Sequence, residues 1–253
     1  MAVNVGATGE DGTFYGGSHI WNNTGGDGTR LHLDPYEYHS YKGESGTGGW
    51  KDMSYEKNHL TTVGDAGQRG TGTNYGRAYF GGTNDFAYIT DSSMSDLDIG
   101  TSNFCVQYWV YPGLNATQYH IHKGSSTGYR MYATTNYLRL YVGSTLCIYY
   151  NWGDPRNEWH NIAFVCTRGS AAILYLDGVN VNGQYSSNTV PTTSLNNSNS
   201  FIIGGYSTST TPTTVTSDFK GAFGPVIFYK DSTVLTEDAV RQNFNVHRGI
   251  FGK

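Results

Sequence analysis

Charged side chains are scarce in this chain of 253 residues, at 14% against the roughly 25% of an average soluble protein. The formal net charge is only −4 and the isoelectric point about 6.0, so composition provides no electrostatic pull on nucleic acid. The strong helix formers Glu, Lys, Ala and Leu are few, which argues against a helical bundle. No apolar run approaches the ~20 residues that a membrane-spanning helix needs. Cysteine is limited to Cys105, Cys147 and Cys166. An odd, sparse set does not build a disulfide scaffold; it reads as buried free thiols in a protein folded in a reducing cytosol. The stretch from Met1 to Gly6 has neither a basic region nor an apolar core, so no Sec signal peptide is predicted.

What is abundant is glycine, with 34 residues, and aromatic side chains, with 21 Tyr among an aromatic share of 15%. So many aromatics exclude disorder and supply a core. The chain divides near Arg77. Residues 1–77 hold 17 of the 34 glycines and four of the eight histidines, and their short apolar islands show no sustained period. Backbone so permissive is costly to order, and it reads as an irregular arm or attachment region. From residue 78 to 253 the texture is that of a sandwich: short apolar runs separated by Gly, Asn, Asp, Ser and Thr. Strands are expected at 85–90, 103–111, 118–123, 129–133, 137–142, 146–150, 159–167, 171–177, 201–205 and 219–229. In the second of these, Phe104, Val106, Tyr108 and Val110 share one face, and Cys105, Gln107, Trp109 and Tyr111 share the other. Asp177-Gly178 signals a hairpin. One helix is expected behind a Thr236 N-cap, with Glu237 and Asp238 in its first turn and Val240 and Phe244 facing the sandwich.

Several motifs carry a resemblance. The run from Phe80 to Ile89 looks like the opening strand of a laminin-G-like, concanavalin-A-like jelly roll. Phe104 to Pro112 resembles that family's F-x-V-x-x-W-V-x-P strand, and Trp159-His160-Asn161-Ile162-Ala163 its W-H-x-x-A strand. Leu174-Tyr175-Leu176-Asp177-Gly178 is similar to its L-Y-x-D-G hairpin. The fold class implied is all-β: a jelly-roll β-sandwich with one short C-terminal helix behind a Gly-rich arm. The ending, from Leu235 through Phe244 to Gly249, is similar to laminin-G-like domains of tailed-phage virion proteins. That likeness implies a structural protein of the virion surface, a head decoration or a tail or fibre component, synthesised in the host cytoplasm. Its partners would be other virion proteins or further copies of itself, reached through residues 1–77, in a homo-oligomer or larger assembly without membrane insertion or nucleic acid. The alternative is a bacterial cell-surface or secreted carbohydrate-binding lectin. A glycoside hydrolase of the same superfold ranks behind both.

Catalysis is not expected. A retaining glycosidase needs two carboxylates about 5 Å apart, and related glucanases carry them as Glu-x-Asp-x-x-Glu, a string missing here. No Gly-x-Ser-x-Gly elbow or Walker-type loop is present. His120-x-His122 would place two imidazoles on one strand face, a pair that binds a transition metal only with a third ligand. Some relatives hold a structural Ca²⁺ through an acidic side chain on the closing strand; here Ala222-Phe223-Gly224-Pro225 offers none, so no cofactor is expected. Sugar binding is the sharpest idea, because an aromatic platform beside amides and carboxylates suits a pyranose. The candidate ligand-binding residues are Tyr150, Asn151, Trp152 and Asp154 with Arg130, joined by Tyr119 and Tyr137 if their strands are neighbours.

Overall fold

The computed structural model describes residues 28–253 except 38, 42–45, 67, 70–75, 95, 182–183 and 232–234. Its strands begin with β1 (Thr29–Leu33), β2 (Gly46–Trp50), β3 (Leu60–Val63), β4 (Gln68–Arg69), β5 (Ala78–Gly81) and β6 (Phe86–Ile89). They continue with β7 (Phe104–Pro112), β8 (Gln118–Lys123), β9 (Tyr129–Thr134), β10 (Tyr137–Val142), β11 (Thr145–Asn151) and β12 (His160–Cys166). Last come β13 (Ile173–Leu176), β14 (Val179–Asn180), β15 (Tyr185–Ser187), β16 (Phe201–Ile203), β17 (Lys220–Tyr229) and one helix, α1 (Glu237–His247).

Two antiparallel sheets form the sandwich. The first runs β14-β13-β12-β7-β17 and then divides: β5 and β4 follow the first half of β17, and β1 follows its second half. Pro225 is tolerated inside β17 because the ladder to β7 is interrupted there, between Phe223 and Val226. The second sheet runs β15-β11-β10-β9-β8-β16-β6-β3-β2. Between the sheets lie Phe104, Val106, Tyr108 and Val110 of β7, against Ile121, Met131, Leu138, Leu140 and Phe201 of the second sheet, all fully buried. Phe104 stacks on Phe228, 5.7 Å between ring centroids, and meets Tyr129 at 5.5 Å.

Part of the outer face of the first sheet is covered by α1. Thr236 Oγ1 accepts a hydrogen bond from Ala239 N at 3.3 Å, the expected N-cap. Gln107, in the middle of β7, donates to Val240 O at 3.1 Å and accepts from Asn243 Nδ2 at 2.7 Å, tying the helix to the strand. Phe244 stacks on Trp109 at 5.5 Å. Beneath it the β13–β14 turn has Asp177 at φ 50° and Gly178 at φ 77°. A Cβ on Gly178 would sit 2.7 Å from the Phe244 ring, so this hairpin needs glycine twice over.

The arm expected over residues 1–77 lies outside the described residues as far as residue 27, and beyond it joins the sandwich. Leu31, Leu33, Trp50 and Leu60 are fully buried in the main core. Islands this short fail to signal strands by period because each contributes only one or two core side chains. Asp52 holds the connection between β2 and β3: its carboxylate accepts from the backbone of His32, Ser54 and Asn58 at 2.7–2.8 Å. Cys105, Cys147 and Cys166 are free and buried.

Candidate functional site

Strands β8 to β11 are consecutive neighbours, and their alternation sorts side chains between core and surface. In β10, Leu138, Leu140 and Val142 point into the core, so Tyr137, Arg139 and Tyr141 face outward. In β9, Met131 is core while Arg130 and Tyr132 face outward beside them. Tyr149 takes the same side of β11, opposite Arg139.

These outward residues form one continuous stripe. Tyr119 of β8 stacks on Tyr132 with centroids 4.6 Å apart and planes 10° from parallel. Tyr132 passes the contact to Tyr141 at 6.0 Å, and the Arg130 guanidinium lies over Tyr141 at 4.5 Å. Arg139 sits between Tyr132 and Tyr149, 5.9 and 5.0 Å from their rings, and Tyr149 stacks on Tyr137 at 4.5 Å. At the other end Tyr206 packs on Tyr119 at 4.9 Å and on His122 at 4.6 Å. The Nε groups of both arginines are buried without a hydrogen-bond partner, and their planar faces lie against rings. Burial pushes the Tyr119 hydroxyl up to about 12, reinforced by Tyr132 and opposed by Arg130, so it remains a neutral donor and acceptor. The stripe therefore offers phenol hydroxyls, guanidinium donors and half-buried ring surface, with no carboxylate among its members.

The expected ligand loop is not a converging site. Tyr150 faces inward and belongs to the main core at 8% exposure. Trp152 packs against that core between His120 and His160, 6.1 and 5.6 Å from their rings, with its Nε1 buried and unpartnered. Asn151 is exposed, and its Oδ1 accepts from Gly153 N at 3.1 Å, closing the turn. Asp154 is exposed and bound to Arg156 at 2.7 Å. Of the five residues, Arg130 alone lies on the stripe. Tyr119 and Tyr137 also lie on the stripe, but only the strand of Tyr137 is next to β11; β9 and β10 separate Tyr119 from the loop. Tyr132, Tyr141 and Arg139 were missed, although Tyr-Leu-Arg-Leu-Tyr-Val alternates openly and marks one polar aromatic face.

The His120 and His122 pair is also divided. A bulge between Tyr119 and Ile121 leaves His120 without a counterpart on β9, so His120 turns into the core and His122 outward. Two imidazoles on opposite faces cannot share a metal. Among the described residues, no group of three or more His, Cys, Asp or Glu side chains is placed to hold one.

The family model described as the concanavalin A-like lectin/glucanases superfamily matches residues 80–241. No curated protein matches the sequence. Among solved structures, a Trypanosoma rangeli sialidase in complex with sialic acid is similar at TM-score 0.61 and 16% identity, over 89% of this chain and 34% of that one. The binding domain of botulinum neurotoxin DC in complex with rat synaptotagmin II is similar at 0.63 and 12%, over 87% and 52%. The same binding domain in complex with SialylT is similar at 0.58 and 11%, over 87% and 51%. The chain thus spans about a third of the sialidase and half of the neurotoxin binding domain, and at these identities the likeness is one of fold. The jelly-roll sandwich and the family match together place this chain in the concanavalin A-like lectin/glucanases superfamily.

Proposed function

We propose that this chain is a non-catalytic glycan-binding domain whose contact surface is the outer stripe of β8 to β11, displayed in many copies on a tailed-phage particle. The stripe carries the reading. Tyr137, Tyr141 and Tyr149 with Arg130 and Arg139 bring ring surface, hydroxyls and guanidinium donors to one sheet face, the mixture that hydroxyl-rich, partly apolar sugars match. The superfamily's description covers lectins and glucanases alike. The lectin side is favoured by the residues: Asp91 and Asp98, two carboxylates that do approach one site, are both engaged by the Lys123 ammonium at 2.9 and 3.1 Å. A carboxylate held by a buried cation is poorly placed to take or give a proton.

Support for the particle comes from the likeness of residues 235–249 to phage virion proteins and from the affinity such a face can reach. One shallow stripe binds a sugar near the millimolar range, about 4 kcal/mol, so retention on a cell requires many linked copies. The test is NMR titration of the full chain against a panel of neutral and sialic-acid-bearing oligosaccharides, the latter included because the similar sialidase is in complex with sialic acid. Binding that weakens tenfold or more in Tyr149→Ala and Arg139→Ala, with the fold intact, supports the reading. Unchanged binding in both variants, or sugar hydrolysis that disappears with one Asp or Glu substitution, overturns it. Mass spectrometry of purified virions tests the location: many copies of the chain are expected, and its absence removes the particle from the proposal.

A further inference from the structure

The geometry points to a second ligand site, for the anionic group of an acidic sugar, on the opposite sheet of the sandwich. A cavity of about 370 Å³ opens at the outer surface of the first sheet, lined by Arg77, Tyr79, Tyr111, Asn157 and Lys220 over a floor that includes Gly221 and Ala222. That volume is toward the small end of ligand sites and holds about one or two sugar rings.

Its chemistry is one-sided. Among the described residues that line it, two are cationic and none is a carboxylate. Glu158, next in the chain to Asn157, extends toward Lys253 at 3.7 Å. The Arg77 guanidinium is carried over the Trp159 ring, 5.3 Å from its centroid, and Trp159 is itself 5.5 Å from Tyr111. Lys220 is placed by bare backbone: a Cβ on Gly82 would lie 2.8 Å from its Cβ, and one on Gly113 3.5 Å from its Cγ. Gly113 N also donates to Lys220 O at 2.7 Å. Two glycines thus let neighbouring chain close around the stem of this lysine while its side chain stays exposed. Tyr79 is 45% exposed, much for a tyrosine on a sheet face. An anion between Arg77 and Lys220, with an apolar sugar face against Tyr79 and Tyr111 and hydroxyls at Asn157, uses every group the cavity presents. A bare inorganic anion would leave both tyrosines unused, and a neutral sugar would leave the exposed Lys220 ammonium unused.

The site is independent of the stripe, which lies on the other sheet. Isothermal titration of the full chain is made with three probes: an oligogalacturonate, a sulfated heparin tetrasaccharide and neutral maltotetraose. At least one acidic probe is expected to bind, with affinity falling as salt rises. Lys220→Gln and Tyr79→Ala should each weaken that binding fivefold or more, while Tyr149→Ala on the stripe leaves it unchanged. Whether the carboxylated or the sulfated probe responds assigns the anionic group. No binding of either acidic probe overturns the site. So does full-strength binding in both cavity variants, or equal competition by maltotetraose. Both substitutions are at exposed side chains, and unchanged circular dichroism shows that the fold is kept.

Discussion

His120 and His122 stand two residues apart on β8 and face opposite sides of their sheet, each fully buried. His120 shares its Nδ1 with the Tyr108 hydroxyl at 3.1 Å inside the core, among Phe219, Phe223 and Trp152. His122 lies under Tyr119 and Tyr206 on the outer side. Burial pushes both down to about 3, and for His122 the charge of Arg130 adds to it.

That arrangement makes stability depend on pH in a set direction. The unfolded chain takes up protons at these histidines below about 6.5, whereas the folded chain resists until about 3, so stability is lost as pH falls through that window. Each histidine is expected to cost about 2 kcal/mol at pH 5 relative to neutral pH. Denaturant titrations at pH 7 and pH 5 measure it. A midpoint that does not move would mean that neither ring is held neutral.

Lys123 is buried, and its ammonium is held by Asp91 and Asp98 and by the carbonyls of Asn197 at 3.0 Å and Asn199 at 2.8 Å. Lys123→Met would leave two carboxylates and two carbonyls pointing at an apolar chain. A loss of about 3 kcal/mol is expected, at the low end for breaking a buried pair because water reaches both carboxylates. Adding Asp98→Asn to the same chain should return part of that loss, which a double-mutant cycle in urea reads directly.

Trp152→Ala is expected to lower stability by about 2 kcal/mol, below a full core truncation because the ring is only partly buried. Sugar binding by the remaining folded protein should be unchanged. Loss of binding at unchanged melting temperature would return the ligand site to the loop at residues 150–154.

Phe251 closes the C-terminal end, 4.3 Å from the Trp159 ring and 4.6 Å from Trp109. Phe251→Ala removes a ring that is 6% exposed and should cost about 3 kcal/mol. Gly224→Ala should also destabilise, since its new Cβ would lie 2.6 Å from the Phe251 ring tip. In the double variant the two penalties should fall short of their sum only by the Phe251 part of the clash, because the new Cβ would still lie 2.8 Å from Trp109 Cβ. Thermal melts of the three variants decide this.

All three thiols are buried, and burial raises each, Cys147 to about 11. Native protein at pH 8 should therefore resist iodoacetamide for hours, then take three labels once unfolded in guanidinium. Rapid labelling of one thiol in the native state would show that its strand opens locally.

Local pattern made the central sandwich legible. Gln118–Lys123 and Tyr137–Val142 are strands at the residues where apolar runs between turn residues indicate them, and Thr236 caps α1 because its hydroxyl and the following acidic turn are read within a few residues. The strands of residues 29–63 were not legible, because Leu31, Leu33, Trp50 and Leu60 are too isolated to define a period until β17 and β6 pair with them. The site needed tertiary structure for a different reason. Tyr150 and Trp152 are what a sugar loop would contain, yet which side of β11 faces the core depends on the ladder to β10. Tyr119 meets Tyr132 only because β8 pairs with β9, and His120 enters the core only because one extra residue bulges the strand. Side-chain period is a property of the chain itself; which strands become neighbours, and where an extra residue reverses the faces, is settled by long-range pairing that no local pattern contains.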